Sequence, residues 1–281
     1  MATHATAFGS SAWASANRPQ ATLWAVLALA TLLACLGLAW WGETPLARWL
    51  SREAAAAAWP RHLLFVLDWT LMCAAMMLPT ALPLLSTLAR VCSGQRHSGR
   101  LSLACAVAFV AVWAVSGMAV RAVHDSLYWA WLTWPSMRSR SGLLAGASLA
   151  LGGTYLMLPL AGRCVTACRT PFGFVARHWT GRPDVTAQAL RVGAAYGMSC
   201  LGCCWPLMAA MSLLGLSDPA WMLAAAVFMA VQKQHVAGLV LTRGLGLVML
   251  LAGLGLGVGW LSPQYGAPAW SPEFGAMCLT R

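Results

Sequence analysis

The chain has 281 residues, of which 60% are hydrophobic and only 9% charged, with a formal net charge of +11. An ordinary soluble domain carries roughly 25% charged residues, and a water-exposed fold with this much apolar surface would display large patches. The composition therefore excludes a soluble enzyme and points to a bilayer, with the sixteen tryptophans suited to its headgroup boundary. The arginines cluster between apolar runs, as membrane-flanking residues do, and form no stripe for nucleic acid.

A membrane helix needs about 20 predominantly apolar residues. In chain order the candidates are Ala21–Trp41, Leu63–Ala89, Leu101–Val123, Gly142–Gly162, Ala189–Leu214, Pro219–Val231 and Leu239–Leu261. The first follows a polar leader without a clear cleavage pattern and reads as a retained helix. The aromatic stretch Leu127–Trp134 is too short to span and is expected to lie in the interface. The sixth run is short but extends through His235. The predicted fold is all-α: a polytopic transmembrane bundle of about six or seven spans, forming one integral membrane domain over residues 1–281. The bias of basic residues between spans favours a cytoplasmic N-terminus and places Arg163–Arg191, which begins with Cys164 and Cys168, in the reducing cytosol.

Candidate chemistry concentrates in the fifth run. Over about 100° per residue, Cys200, Cys203, Cys204, Met208 and Met211 fall within an arc of roughly 140°. Thiolates and thioethers are soft donors that select Cu(I). Pro206, lying among them, removes a helical hydrogen bond and frees the carbonyl of Gly202. Cys and Met are also ordinary membrane-core residues, so a packing role for each stands beside the ligand role. A disulfide between the adjacent Cys203 and Cys204 does not suit a regular helix.

The second run carries Asp68, Met72, Met76 and Thr80 in one stripe, with Cys73 and Met77 beside it. An acid inside a span usually faces protein or a cavity, so Asp68 is a candidate acid or relay, or else a boundary residue. Cys164 and Cys168, one turn apart, form a possible clamp. Cys35, Cys105 and Cys278 read as packing residues, and His62, His97, His124 and His178 as loop or interface residues that do not converge. Lys233 is the sole lysine; following an apolar run, it is expected to snorkel to the surface, with a relay role as the alternative.

These segments resemble a known family. Trp69-Thr-Leu-Met-Cys-Ala-Ala-Met-Met-Leu-Pro79 is similar to the W-x-x-M-x-x-A-M-M-x-P signature of the bacterial predicted metal-binding integral membrane proteins, sometimes labelled copper chaperones. Tyr155 to Pro159 with Cys164-x3-Cys168-Arg-Thr-Pro171 resembles its middle motif, and Gly197 to Met208, followed by Trp221-Met222, its G-x-x-C-x-G-C-C-W-x-L-M core. The likeness covers about residues 60–235. It implies that Met72, Met76, Met77, Cys164, Cys168, Cys200, Cys203, Cys204 and Met208 are metal-site residues. Two departures stand out: Leu160-Ala161-Gly162-Arg163 replaces a Leu-Lys before the first cysteine, and Gln232 replaces a Glu before the lysine.

Together the readings give a multi-pass protein of the bacterial inner membrane that binds a soft metal, Cu(I) first, and delivers it by ligand exchange to or from a partner protein. No phosphate-binding loop suggests ATP hydrolysis, and no enzymatic activity is expected. Two alternatives are a structural or assembly subunit of a membrane complex, and a membrane redox enzyme using Cys203/Cys204 thiol chemistry.

Overall fold

The computed structural model of the chain describes residues 58–92, 98–134, 141–180, 184–214 and 219–261, together with Leu29 and Leu33. Among these residues it is all-α, with eight helices: α1 Ala58–Val91, α2 Ser98–Thr133, α3 Ser141–Met157, α4 Pro159–Arg169, α5 Pro171–His178, α6 Val185–Leu214, α7 Pro219–Gln234 and α8 Gly238–Leu261. The first expected span, Ala21–Trp41, lies outside the described residues apart from Leu29 and Leu33.

Prolines set the breaks. Pro159 clashes with a helical residue before it, so Leu158 is extended (φ −69°, ψ 150°) and α3 and α4 meet at a bend of 62°. Pro171 opens α5 in the same manner, at N1, where its missing N–H is no loss. Pro79, Pro83 and Pro206 instead lie inside long helices, where each removes one backbone hydrogen bond.

Four helical segments are long and apolar enough to cross a membrane: His62–Val91, Ser98–Leu127, Val185–Met211 and Gly238–Gly259, with the bent pair α3–α4 as a fifth. The described residues thus hold four or five spans; of the seven expected runs, Ala21–Trp41 lies outside them. The run Pro219–Val231 forms a helix of only 16 residues, ending at Gln234. The stretch expected to lie in the interface continues α2 without a break to Thr133.

The helices form a ring. α1 packs on α2, α2 on α6, α6 on α3, α3 on α8, and α7 bridges α8 back to α1. The short α4 touches α3, α6, α7 and α8 and so sits inside the ring, with α5 between α1 and α6. Apolar side chains such as Leu71, Leu103, Val107, Leu151, Val240 and Leu251 face outward, which suits lipid and not water. Inside lie Trp113, Tyr196, Phe109, Met76 and Met77.

Lipid offers no hydrophobic drive between helices, so close backbone approach must supply the attraction. The α3–α8 crossing shows it: a Cβ on Gly153 would lie 2.5 Å from the carbonyl oxygen of Gly246, and one on Gly253 at 2.5 Å from that of Gly146. Gly153→Leu should therefore force the pair apart, costing about 3 kcal/mol or more by overpacking. Gly255→Leu, on the same helix with nothing within 4 Å, should be neutral. Thermal unfolding of both variants in detergent measures the difference; equal midpoints would mean that this crossing contributes nothing.

Candidate metal centre

The middles of α1 and α6 meet through side chains. Cys200 Sγ lies 3.8 Å from Met77 Sδ, and both residues are fully buried. Cys203 and Cys204, a turn further along α6, are buried beside it and donate their thiols to the carbonyl of Cys200 at 3.1 and 2.9 Å. Cys168, on the enclosed α4, reaches Cys200 and Cys203 with its side chain. Met76 and Met208 complete the buried part of this cluster, and Met72 and Cys164 pack against it half-buried. All nine sulfur residues marked by the sequence therefore belong to one core.

Backbone hydrogen bonds hold the cluster's frame. The Gly202 carbonyl, freed by Pro206, accepts the hydroxyl of Tyr155 at 2.8 Å, and the Tyr155 ring meets Trp205 edge-on. Cys164 Sγ presses on the other side of Gly202, where a Cβ would lie only 2.7 Å from it; any larger residue would push this thiol off the helix. Tyr196 donates to the carbonyl of Cys168 at 3.2 Å, fixing α4 against α6. Trp69, the first residue of the α1 signature, is no ligand: its indole N–H donates to Ser116 Oγ at 3.1 Å and docks α1 on α2.

Lys233 is the largest departure from the sequence reading. It does not snorkel to the surface; the residue is 2% exposed. Its Nζ donates to Cys200 Sγ at 2.9 Å, Thr80 Oγ1 at 3.1 Å and Met77 Sδ at 3.3 Å. The cause is the short α7, whose C-terminal end stops against the middle of α1. There the chain turns back at once: the N–H of Gly238 donates to the His235 carbonyl at 3.0 Å, and a Cβ at Gly238 would collide with the Gln232 carbonyl. Gln232, where the resembling family tends to have Glu, donates instead to Thr242 Oγ1 at 2.8 Å and is equally buried.

Asp68 stands at the edge of the centre, close enough to the buried Cys73 to act on it electrostatically. It lies half-buried, about nine residues or 13 Å along α1 from Met77 by helical rise, on the stripe that passes Met72. Two histidines, however, do converge, contrary to expectation. His62 Nε2 lies 2.9 Å from Asp125 Oδ2, Arg121 pairs with the same carboxylate at 2.8 Å, and His124 Nδ1 stands 3.6 Å away. They meet because α2 runs on past Val123, its expected end, and lies beside the start of α1. Arg121 also covers the ring of Phe65 at 5.5 Å.

A family model, PpoB2, described as a copper chaperone, matches residues 66–256. The chain belongs to this family. No curated protein and no solved structure matches it significantly. The copper chaperone match spans α1 from Val66 through most of α8 and so contains every sulfur of the cluster. Among the described residues, no three His, Cys, Asp or Glu side chains are placed to hold one ion. The arrangement thus offers at most two thiols to an ion at a time, with thioethers for the rest.

Sequence reasoning placed Cys73 beside the α1 stripe without counting it among the metal residues, although it is fully buried in the same core, and missed Thr80 as a lysine partner. Cys73 was legible as the residue one turn before Met77. The thiols differ in access: Cys164 is half-buried while Cys200, Cys203 and Cys204 are buried. Alkylation by N-ethylmaleimide in detergent, followed by peptide mass spectrometry, should modify Cys164 first and the α6 cysteines at least about tenfold more slowly. Equal rates would mean that α4 does not cover the cluster.

Proposed function

We propose that this copper chaperone family member is an integral membrane protein that takes Cu(I) as cargo and passes it on by ligand exchange through sulfurs inside the helix ring. The observation that carries the reading is the meeting of Cys200 and Met77 at 3.8 Å, with Cys168, Cys203 and Cys204 in side-chain reach of Cys200. Two thiolates, with a thioether alongside, suit an ion that is content with two or three soft ligands. Zinc, which asks for four N/S ligands in a closed tetrahedron, finds no such shell among the described residues.

A route follows from the exposures. Half-buried Cys164 receives the ion, Cys168 carries it inward on α4, and Cys200 with Cys203 or Cys204 holds it. Met77 and the adjacent Met76, then Met72 about one helical turn further, lead along α1 toward Asp68. Passage requires that an ion leave as well as bind, and thioethers after thiolates provide the weaker steps. The ion's donor or acceptor would be another protein. The bilayer is that of the bacterial inner membrane with the N-terminus in the cytoplasm, and no nucleic acid takes part.

One observation favours the thiol-redox alternative: Lys233 supplies beside Cys200 the cationic neighbour that activates a thiolate. Burial tells against it, since Cys200 is 0% exposed and a disulfide or quinone substrate has no approach to its sulfur.

Cu(I) competition against a chromogenic chelator, on purified protein in detergent, tests the metal reading. Cys200→Ser and Cys204→Ser should each lower affinity by about 100-fold and Met208→Leu by about tenfold, each tenfold being about 1.4 kcal/mol. Equal copper retention in wild type and all three variants would make the sulfurs packing residues and favour a structural subunit. Topology has its own check: a membrane-impermeant thiol reagent should label Cys164 only after cell lysis, and labelling of intact cells would invert the orientation.

A further inference from the structure

Among the described residues, the lysine in the centre has no acidic partner. Every ion pair among the described residues falls on Asp125, and the position before Lys233 is the amide Gln232. All three Nζ donors are spent on two sulfurs and a hydroxyl. The surrounding charges that the ammonium can feel are the thiols of Cys200, Cys203, Cys168 and Cys204. An unbalanced charge in a low-dielectric interior is strongly disfavoured, so the cluster of sulfurs must supply the balancing negative charge.

We propose that Lys233 is a specificity-determining residue whose fixed ammonium makes the sulfur centre accept soft monovalent cations and reject soft divalent ones. The proposal rests on the soft-metal reading of the cluster and adds charge to softness as its selector. The count is short. Each thiol that becomes a ligand releases its proton, as metal binding requires. Two thiolates, one monovalent ion and the ammonium sum to zero. With a divalent ion the same group carries a net positive charge in a buried place. A third thiolate would restore balance, but no three Cys, His, Asp or Glu side chains among the described residues are placed around one ion.

Nor does the ammonium have a ready way out. Lys233 stands in the last turn of α7, where the negative end of the helix dipole favours a cation. The tight turn at Gly238 holds that end against α1. An arginine would keep the charge, whereas a glutamine would keep a polar group of less reach and remove it.

Silver(I) and cadmium(II) separate the two selectors, because both are thiophilic and only their charge class differs in the count above. Purified, reduced full-length protein in detergent is equilibrated with either ion against a competing low-molecular-weight thiol, and retained metal is measured by mass spectrometry. Wild type should prefer Ag(I) over Cd(II) by at least about 100-fold relative to the competitor. Lys233→Gln should lower that preference by at least about tenfold, and Lys233→Arg should leave it unchanged. A wild-type protein that holds Cd(II) as well as Ag(I) overturns the proposal, and this comparison decides alone if the glutamine variant fails to fold. Ag(I) retained with the same preference in Lys233→Gln also overturns it, while leaving the soft-metal reading intact. Retention of neither ion by folded wild type removes the site, and both readings with it.

Discussion

A single buried ammonium sets the terms for the rest of the centre. Lys233 Nζ needs three acceptors, and it finds them on two helices: Thr80 and Met77 of α1, and Cys200 of α6. A charged group at the centre of a span costs on the order of 3 kcal/mol even on permissive scales, so each acceptor has to be present for the fold to tolerate it. This requirement turns the sulfur faces of α1 and α6 inward and pulls the end of α7 into the ring. Removing any one acceptor leaves a buried donor without a partner, which is costlier than the bond itself was worth.

Irregular backbone inside a membrane-like bundle is tolerated only where protein covers it, and this fold contains several such places close together. The bend at Leu158, the proline at 206 and the turn after Gln234 each interrupt a helix near the sulfurs. Tyrosine hydroxyls meet two carbonyls of the same region, those of Gly202 and Cys168. The frame around the cluster and its α6 thiols are therefore held by directional hydrogen bonds, while the thioethers of Met72 and Met76 are held by packing. Thioethers with three rotatable bonds can then move within a scaffold that does not.

Much of this was readable from the sequence because helical periodicity is local. The arc of Cys200, Cys203, Cys204 and Met208, the stripe through Met72 and Met76, and the carbonyl freed by Pro206 all follow from residue spacing alone, and each is found on the inner face or with the expected partner. What failed depended on tertiary packing. Lys233 at the end of an apolar run is locally indistinguishable from a snorkelling lysine; only the position of α7 against α1 buries it. His62 lies 63 residues from Asp125, so nothing in its own neighbourhood announces the pairing. Hydropathy sees composition and not where a helix stops: Pro219–Gln234 is apolar enough to be read as a span but forms a helix of only 16 residues, and the aromatic stretch after Leu127 is simply more of α2.

The combination of thiols and a fixed cation bears on release as much as on binding. A chaperone that held its ion with four thiolates would bind too tightly to hand it on. Here the positive charge of Lys233 lies 2.9 Å from the very sulfur best placed to ligate, Cys200, so part of that sulfur's electron density is already engaged by an N–H donor. On the proposed metal reading, an arriving ion would have to share Cys200 with the ammonium, and a departing ion would leave behind a sulfur whose hydrogen bond is at once restored. The empty and loaded states would then differ less in free energy than around a bare thiolate. Transfer to thioethers such as Met77, itself a lysine partner at 3.3 Å, becomes a small step. That levelling is what carriage demands of a soft-metal site, and it arises from a residue that composition and periodicity gave no reason to place there.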